Sequence, residues 1–251
     1  MKSVKSYRKI CQTSQIKNDR EIGFKLLFRS VSIYFTILLI FLKFKPNSVT
    51  ILSIIFGILA AIFYYLGYLN FGSLFLFISI TLDFSDGEVA RYNNSGSLEG
   101  EYLDLILHWV LHPIILSSIT LYAFNNDTSN KYILILGFLS VIGSILISLV
   151  RTYAKYVVLW LNINKINIKS GSTSLSKFSN NSLSNFISKI LEMYDFPYIM
   201  LFVILSSLIE NYSSFNAIFF TISFLGFTFP IVIILIIYIN LKNKRITNFN
   251  K

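Results

Sequence analysis

The chain has 251 residues, of which 54% are hydrophobic and 16% aromatic, and its formal net charge is +10. Only 14% of the residues are charged, against about 25% in a typical soluble domain. This composition excludes an ordinary water-soluble enzyme, a disordered chain and a coiled coil. One cysteine and two histidines also exclude an internal disulfide and the usual zinc clusters, so any metal would be bound mainly by oxygen atoms.

The basic residues are concentrated at the two ends of the chain. The N-terminal group comprises Lys2, Lys5, Arg8, Lys9, Lys17, Arg20, Lys25 and Arg29, and the C-terminal group comprises Lys242, Lys244, Arg245 and Lys251. A basic chain can bind nucleic acid. Here, however, the basic groups flank apolar segments, which favours anchoring beside a membrane surface. We therefore expect a membrane lipid environment and no nucleic-acid partner.

The first apolar segment in chain order is 24–44. It carries Lys25, Arg29 and Lys43, with about 13 residues between the last two, whereas a membrane-spanning helix needs about 20 apolar residues. We therefore predict a helix that lies in the membrane interface with its basic residues toward the headgroups. A spanning helix is the alternative.

Six further apolar segments follow, and each is predicted to cross the membrane as a helix. Their expected limits are 49–69, 71–92, 100–124, 132–155, 196–209 and 215–241. The fifth is the shortest, and Pro197 near its start is tolerated in the first turn of a helix. The predicted fold is therefore all-α and integral to the membrane, with one N-terminal interfacial helix and six transmembrane helices.

The connecting loops differ in charge on the two sides of the membrane. One side would hold both termini, the loop after Arg91 and the segment 155–189, while the opposite loops at 67–70, 125–131 and 210–214 carry few charges. The excess of lysine and arginine on the first side predicts a multi-pass protein of the cell membrane with both termini in the cytoplasm.

The apolar segments and the basic residues that flank them divide the chain into three parts. Residues 1–45 form a basic N-terminal segment, residues 46–241 the six-span domain and residues 242–251 a basic tail. Within the domain, the segment 163–184 is rich in serine, asparagine and lysine and predicts a cytoplasmic loop. The segment 184–193 predicts a short surface helix.

Acidic residues stand within two neighbouring apolar helices. Asp83 and Asp86 lie three positions apart on one helix face, and Asp104, His108 and His112 follow each other at intervals of four on the next helix. The connection 93–99 is short, so the two helices should be antiparallel neighbours whose polar faces meet near the cytoplasmic surface. Ionisable groups at membrane depth are costly and usually face a site or a water-filled cavity.

The residue types at this junction suit a diphosphate ligand. Three carboxylates on two facing helices provide an oxygen-rich pocket for a hard divalent cation. Gly87 and Gly100 have no side chain and allow a bulky group to approach the backbone, and Arg91 offers a planar, permanently charged fork for a phosphate. The alternative is that the aspartates pair with basic residues and only hold the helices together.

These residues resemble the CDP-alcohol phosphotransferase family, also called CDP-alcohol phosphatidyltransferases. The family pattern is D-x-x-D-G-x-x-A-R, eight or nine residues, then G-x-x-x-D-x-x-x-D. The sequence matches this pattern at Asp83, Asp86, Gly87, Ala90, Arg91, Gly100 and Asp104, with eight residues in the gap. The segment 46–50, Pro-Asn-Ser-Val-Thr, also resembles the P-N-x-x-T that opens the first span of the family.

The resemblance implies an enzyme that transfers a substituted phosphate group in phospholipid biosynthesis. The donor would be CDP-linked, such as CDP-diacylglycerol, the acceptor a small alcohol or a phosphorylated alcohol, and CMP the product that leaves. The resemblance implies that Asp83, Asp86 and Asp104 hold magnesium or manganese and that Asp104 takes part in catalysis. Residues implied to contact the CDP moiety are Gly87, Arg91 and Ser97, with Asn47 and Thr50 near the nucleotide. A homodimer remains open.

The sequence departs from the family at position 108, where the family has a fourth aspartate that acts as general base and metal ligand. His108 can serve in both roles, because a neutral imidazole binds metal and accepts protons. We therefore predict that His108 is catalytic and ligates the metal, and its nitrogen would shift the preference toward manganese or a later metal. A degenerate site and a purely structural histidine are the alternatives.

Three further interpretations complete the sequence-based view. His112, one turn beyond His108, is expected to support the site or to pack rather than to ligate. Arg151 and Lys155 either extend to lipid headgroups or form a pocket for a phosphorylated acceptor. Rival functions for the whole chain are an ion or proton transporter, in which the acids form a relay, and a non-catalytic scaffold that has kept the fold.

Overall fold

A computed structural model describes residues 3–13, 23–163, 194–213 and 216–242 of the chain, and these contain helices and no strand. The helices in this part are α1 (Val4–Cys11), α2 (Gly23–Phe41), α3 (Pro46–Tyr65), α4 (Leu69–Asn93), α5 (Leu98–Asn126), α6 (Tyr132–Ile163), α7 (Phe196–Tyr212) and α8 (Ala217–Lys242). The predicted loop 163–184 and the predicted surface helix 184–193 lie outside these ranges, except for Ile163, which ends α6.

The long apolar helices confirm the predicted all-α integral membrane fold. Four helices in the described part have the length and hydropathy of a membrane span: α3, α5, α6 over Tyr132–Tyr153 and α8 over Ala217–Tyr238. Helix α7 is a shorter apolar helix, and α4 is long but carries the acidic motif near its C-terminal end. The N-terminal apolar helix α2 precedes these six, as expected.

Several helices end at other residues than predicted. Local backbone conformation decides where α3 and α4 end. The first span was expected to run to residue 69, but α3 ends at Tyr65 because the chain reverses at Gly67, whose φ of +81° suits glycine. Helix α4 ends at Asn93, and the next residue, Asn94, takes the left-handed conformation that terminates many helices. Helix α6 begins where predicted and continues to Ile163, beyond the expected residue 155.

Helices α2 to α4 pack around small polar residues. The Ser53 hydroxyl donates to the Ser79 carbonyl and the Ser79 hydroxyl donates to the Ser53 carbonyl, both at 2.8 Å, so α3 and α4 lie close together. Helix α2 lies along α4, with Phe28 and Ile33 fully buried and Tyr34 exposed. One buried face and one exposed face agree with a helix that packs on the bundle on one side and contacts lipid or headgroups on the other.

The other half of the bundle is held by close backbone approaches at glycines. A Cβ atom on Gly226 of α8 would lie 2.7 Å from the Leu136 carbonyl oxygen of α6, and one on Gly143 of α6 would lie 2.5 Å from Phe229 Cβ. Small residues at helix contacts are a general means of helix association in membranes. Here they fix the distance between α6 and α8.

Replacing Gly226 by alanine should destabilise the bundle, because the added methyl group meets a backbone carbonyl that cannot move aside as a side chain can. We expect Gly226→Ala to cost about 1–3 kcal/mol and to lower the midpoint of thermal unfolding in detergent. Gly96→Ala is the matched control, since no described residue lies within 4 Å of a Cβ atom there. Equal unfolding midpoints for the two variants would contradict the assigned α6–α8 contact.

Candidate functional site

The end of α4 and the start of α5 bring three potential metal ligands together. Asp83 on α4 and Asp104 and His108 on α5 each offer one ligand atom, and these atoms all lie within 4.8 Å of one another. His108 Nε2 is 3.4 Å from Asp104 Oδ1, as expected for residues one helical turn apart. The structure thus places three of the four predicted ligands in one cluster, and their role as ligands stays a prediction.

The polar surroundings of this cluster suit a divalent cation. The Oδ1 atom of Asp83 is buried and accepts no hydrogen bond from the described residues. A buried carboxylate oxygen without a partner is costly, and two carboxylates with an imidazole form a donor set that divalent metals accept. The side chain of Asp104 is 53% exposed, so the cluster opens toward the surface and can admit a ligand from outside.

Asp86 lies on the same helix but interacts with α3. The Thr50 hydroxyl donates a 2.6 Å hydrogen bond to Asp86 Oδ2. Asp86 is therefore tied to the N-terminal part of α3, while the group of ligand atoms described above consists of Asp83, Asp104 and His108. The predicted nucleotide residue Thr50 and the predicted metal ligand Asp86 thus form a pair, and neither predicted role is tested by this contact.

Asn47 and Ser97, two residues predicted to lie near the bound CDP moiety, meet Gly100 at the start of α5. A Cβ atom on Gly100 would lie 3.3 Å from Asn47 Oδ1, a tight contact, and 3.4 Å from Ser97 Oγ, so a side chain there would fill the space between them. Ser97 is the N-cap of α5, and its hydroxyl accepts a 3.1 Å hydrogen bond from the Gly100 amide. Gly100 therefore keeps the space between Asn47 and Ser97 open.

The predicted phosphate-binding residue Arg91 is held by the N-terminal helix. Its Nε atom donates to the Cys11 carbonyl at 2.5 Å. A Cβ atom on Gly87 would lie 3.2 Å from Arg91 Nη1, so the absence of a side chain at Gly87 leaves room for the guanidinium group. Sequence reasoning missed the participation of α1, because no motif marks this helix.

Glu88 is a second residue that sequence reasoning missed. It occupies a variable position of the motif, yet its side chain is fully buried and accepts hydrogen bonds from Gln12, Ser32 and Thr36. A usable signal was present, because an acidic residue in an apolar helix generally has a specific partner. The sequence did not indicate which residues would provide it.

The remaining predicted residues lie beyond the cluster. His112 is 5% exposed, and its ring centroid lies 6.4 Å from that of His108, a position that suits support or packing. Arg151 forms an ion pair with Asp195, which precedes α7, and so links α6 to α7 instead of extending to headgroups. The side chain of Lys155 lies outside the part of the chain that the structure describes.

Comparisons with known proteins agree with this fold and motif. The family model for CDP-alcohol phosphatidyltransferase matches residues 43–176, more than half of the chain. No curated protein matches the chain.

Similar solved structures include three of the Mycobacterium tuberculosis phosphatidylinositol phosphate synthase PgsA1, each 14% identical to this chain. The structure with CDP-DAG bound has a TM-score of 0.61 over 83% of this chain and 92% of that one. The apo form has a TM-score of 0.61 over 86% and 99%, respectively. The complex with manganese and citrate has a TM-score of 0.54 over 82% and 87%. At this identity the similarity shows a shared fold.

Proposed function

Because the chain belongs to the CDP-alcohol phosphatidyltransferase family, we propose that it transfers a substituted phosphate group from a CDP-linked donor to an alcohol and releases CMP. The observation that carries this proposal is the cluster of Asp83, Asp104 and His108, which joins the C-terminal half of α4, the helix that also carries the motif arginine, to the N-terminal half of α5. A transporter relay would instead be expected near the middle of broken helices. The observed position therefore favours the enzyme.

The donor and the reaction follow from the family and from the site. CDP-diacylglycerol is the proposed donor, and the PgsA1 structure with CDP-DAG bound supports this choice. The hydroxyl oxygen of a small or phosphorylated alcohol attacks the phosphorus distal to the cytidine. A new oxygen–phosphorus bond forms, the bond to CMP breaks, and the hydroxyl proton passes to His108. The product is a membrane phosphodiester, which places the enzyme in phospholipid synthesis.

The proposed cofactor is magnesium or manganese, held by Asp83, Asp86, Asp104 and His108. The Asp83 oxygen that accepts no hydrogen bond within the described part of the chain and the mixed carboxylate and imidazole donors fit such a cation, and one PgsA1 structure contains manganese. When bound, the cation would supply positive charge to the diphosphate oxygens and to the leaving phosphate. The nitrogen of His108 favours manganese over magnesium.

The chain's own residues would bind and orient the donor. Arg91 offers its terminal guanidinium nitrogens to a phosphate oxygen, and Gly87 leaves the space that this requires. Asn47 and Ser97 flank the opening at Gly100, where the nucleotide would approach the backbone. Asp104, one turn from His108, orients the imidazole that accepts the proton.

The location that suits this function is the cell membrane, with the site on the cytoplasmic side and both termini in the cytoplasm. The basic ends of the chain support this orientation. The catalytic unit would be the proposed domain 46–241, flanked by the basic segment 1–45 and the basic tail 242–251.

The first test is CMP release by purified protein in nanodiscs that contain CDP-diacylglycerol, with a panel of small and phosphorylated alcohols. We expect release to require magnesium or manganese and to stop when EDTA is added. Asp83→Asn should lower turnover by about 100-fold or more, because it removes charge from the site that stabilises the transferring phosphate. Glu101→Gln, an exposed acid on α5, is the matched control. Near-parental turnover of Asp83→Asn would contradict the site.

A second test concerns position 108, where the sequence leaves the family pattern. His108→Ala should lower the rate by about 100- to 10,000-fold, the usual contribution of a general base. His108→Asp should keep activity and shift the preference toward magnesium, because a carboxylate is the harder ligand. If His108→Ala matches the parent, the base lies elsewhere. If only His108→Asp is active, the natural site is degenerate.

A third test concerns topology and uses single cysteines in a Cys11→Ser background. Positions 2 and 172 should be protected from an impermeant thiol reagent in intact cells. Ser129 and Ser213, which are exposed and follow α5 and α7, should be labelled. The reason is the one-sided distribution of lysine and arginine. Labelling of position 172 from outside would refute the six-span orientation.

A further inference from the structure

Glu88 is a buried acid beside the site that no step of the proposed reaction uses. Its side chain is fully buried, and a buried carboxylate is costly unless hydrogen bonds compensate for lost water. Oε1 accepts hydrogen bonds from Gln12 Nε2 at 2.8 Å and from Ser32 Oγ at 2.7 Å. Oε2 accepts one from Thr36 Oγ1 at 2.7 Å. The carboxylate therefore joins α4 to both N-terminal helices.

Gln12 is the residue through which Glu88 holds α1. It caps the C-terminal end of this helix, and its side-chain amide also donates a 2.8 Å hydrogen bond to the Arg29 carbonyl of α2. Gln12 is only 2% exposed, so the last turn of α1 is enclosed between α2 and α4. The rings of Tyr7 and Tyr92 stack with centroids 5.5 Å apart and give α1 a second contact with α4.

The fixed end of α1 in turn holds Arg91. Cys11 directly precedes Gln12, is fully buried, and accepts the Arg91 Nε hydrogen bond with its carbonyl oxygen. An arginine fork presents its donors in one rigid plane. Because Nε is bound to α1, that plane is set, and the terminal nitrogens lie beside Gly87.

We propose that Glu88 is a positioning residue, which docks α1 on α4 through Gln12 so that the Cys11 carbonyl orients Arg91 for the donor diphosphate. The inference rests on the proposed function for the ligand of Arg91. An N-terminal segment that served only as a membrane anchor would need none of these contacts. Helix α1 thus borders the donor site. If α1 no longer packs on α4, donor binding should weaken more than the rate of the chemical step.

Cys11 provides a direct probe of docking, since it is the single cysteine of the chain and is fully buried. We expect a membrane-permeant maleimide to label it slowly in the parent protein in nanodiscs. Glu88→Ala and the milder Gln12→Ala should raise the labelling rate about tenfold, because each removes hydrogen bonds to a charged group. Glu88→Gln, which can still accept and donate at these positions, should label nearly as slowly as the parent. Glu101→Ala is the exposed control.

Binding of CDP-diacylglycerol provides the second readout, measured as the Kd for the same nanodisc samples without acceptor. The variants that expose Cys11 should bind the donor about tenfold more weakly, whereas kcat at saturating donor should change by less than about threefold. Rapid Cys11 labelling of the parent would overturn docking. Rapid labelling of the alanine variants with an unchanged Kd, or a loss confined to kcat, would overturn positioning.

The two proposals fail in distinguishable ways. A parent that binds the donor but releases no CMP would contradict the proposed function alone, and the Kd and labelling comparisons would still decide this inference. A parent that does not bind the donor would overturn both the function and the positioning role, while Cys11 labelling would still show whether Glu88 docks α1.

Discussion

A carboxylate inside an apolar helix bundle needs a partner that replaces water, and this constraint organises the site end of the molecule. Three acids occupy less than two turns of α4, and they differ in the hydrogen bonds that their carboxylates accept. Glu88 accepts three hydrogen bonds from the N-terminal helices, and Asp86 accepts one from Thr50 on α3. Asp83 keeps a buried oxygen without a hydrogen bond from the described residues and faces Asp104 and His108. From Glu88 to Asp83, the number of hydrogen bonds that these acids accept from neighbouring helices thus falls, and Asp83 has the oxygen best suited to a cation.

Much of this fold could be predicted from apolar length and charge alone. Six apolar helices and the apolar helix that precedes them follow from the number of apolar residues between polar breaks, because a membrane sets the length that a span needs. The meeting of Asp83 with Asp104 and His108 could also be predicted, since a short connection makes α4 and α5 neighbours and the helical period sets their faces. Helix ends were less predictable where a single backbone conformation, as at Gly67, decides them.

The contacts that the sequence did not reveal are long-range and involve ordinary polar residues. Gln12 and Glu88 are 76 positions apart, and nothing in the residues near Gln12 suggests a partner in α4. Thr50 and Asp86 are closer, at 36 positions, but the motif assigned them separate roles. Arg151 illustrates the same limit, since its partner Asp195 lies on the far side of a segment that the structure does not describe. Periodicity predicts which face a residue occupies, whereas tertiary packing decides which residue meets it.

The arrangement around Glu88 also shows that motif residues of this chain depend on residues outside the region that the family model matches. The family match begins at residue 43, but the donors to Glu88 and the acceptor for Arg91 come from residues 11–36. Without them, Glu88 would be a buried charge without compensation, and Arg91 would lose the contact that sets its plane. These contacts cross the proposed boundary between the basic N-terminal segment and the six-span domain. The motif supplies the chemical groups, and the N-terminal helices determine the geometry in which two of them are held.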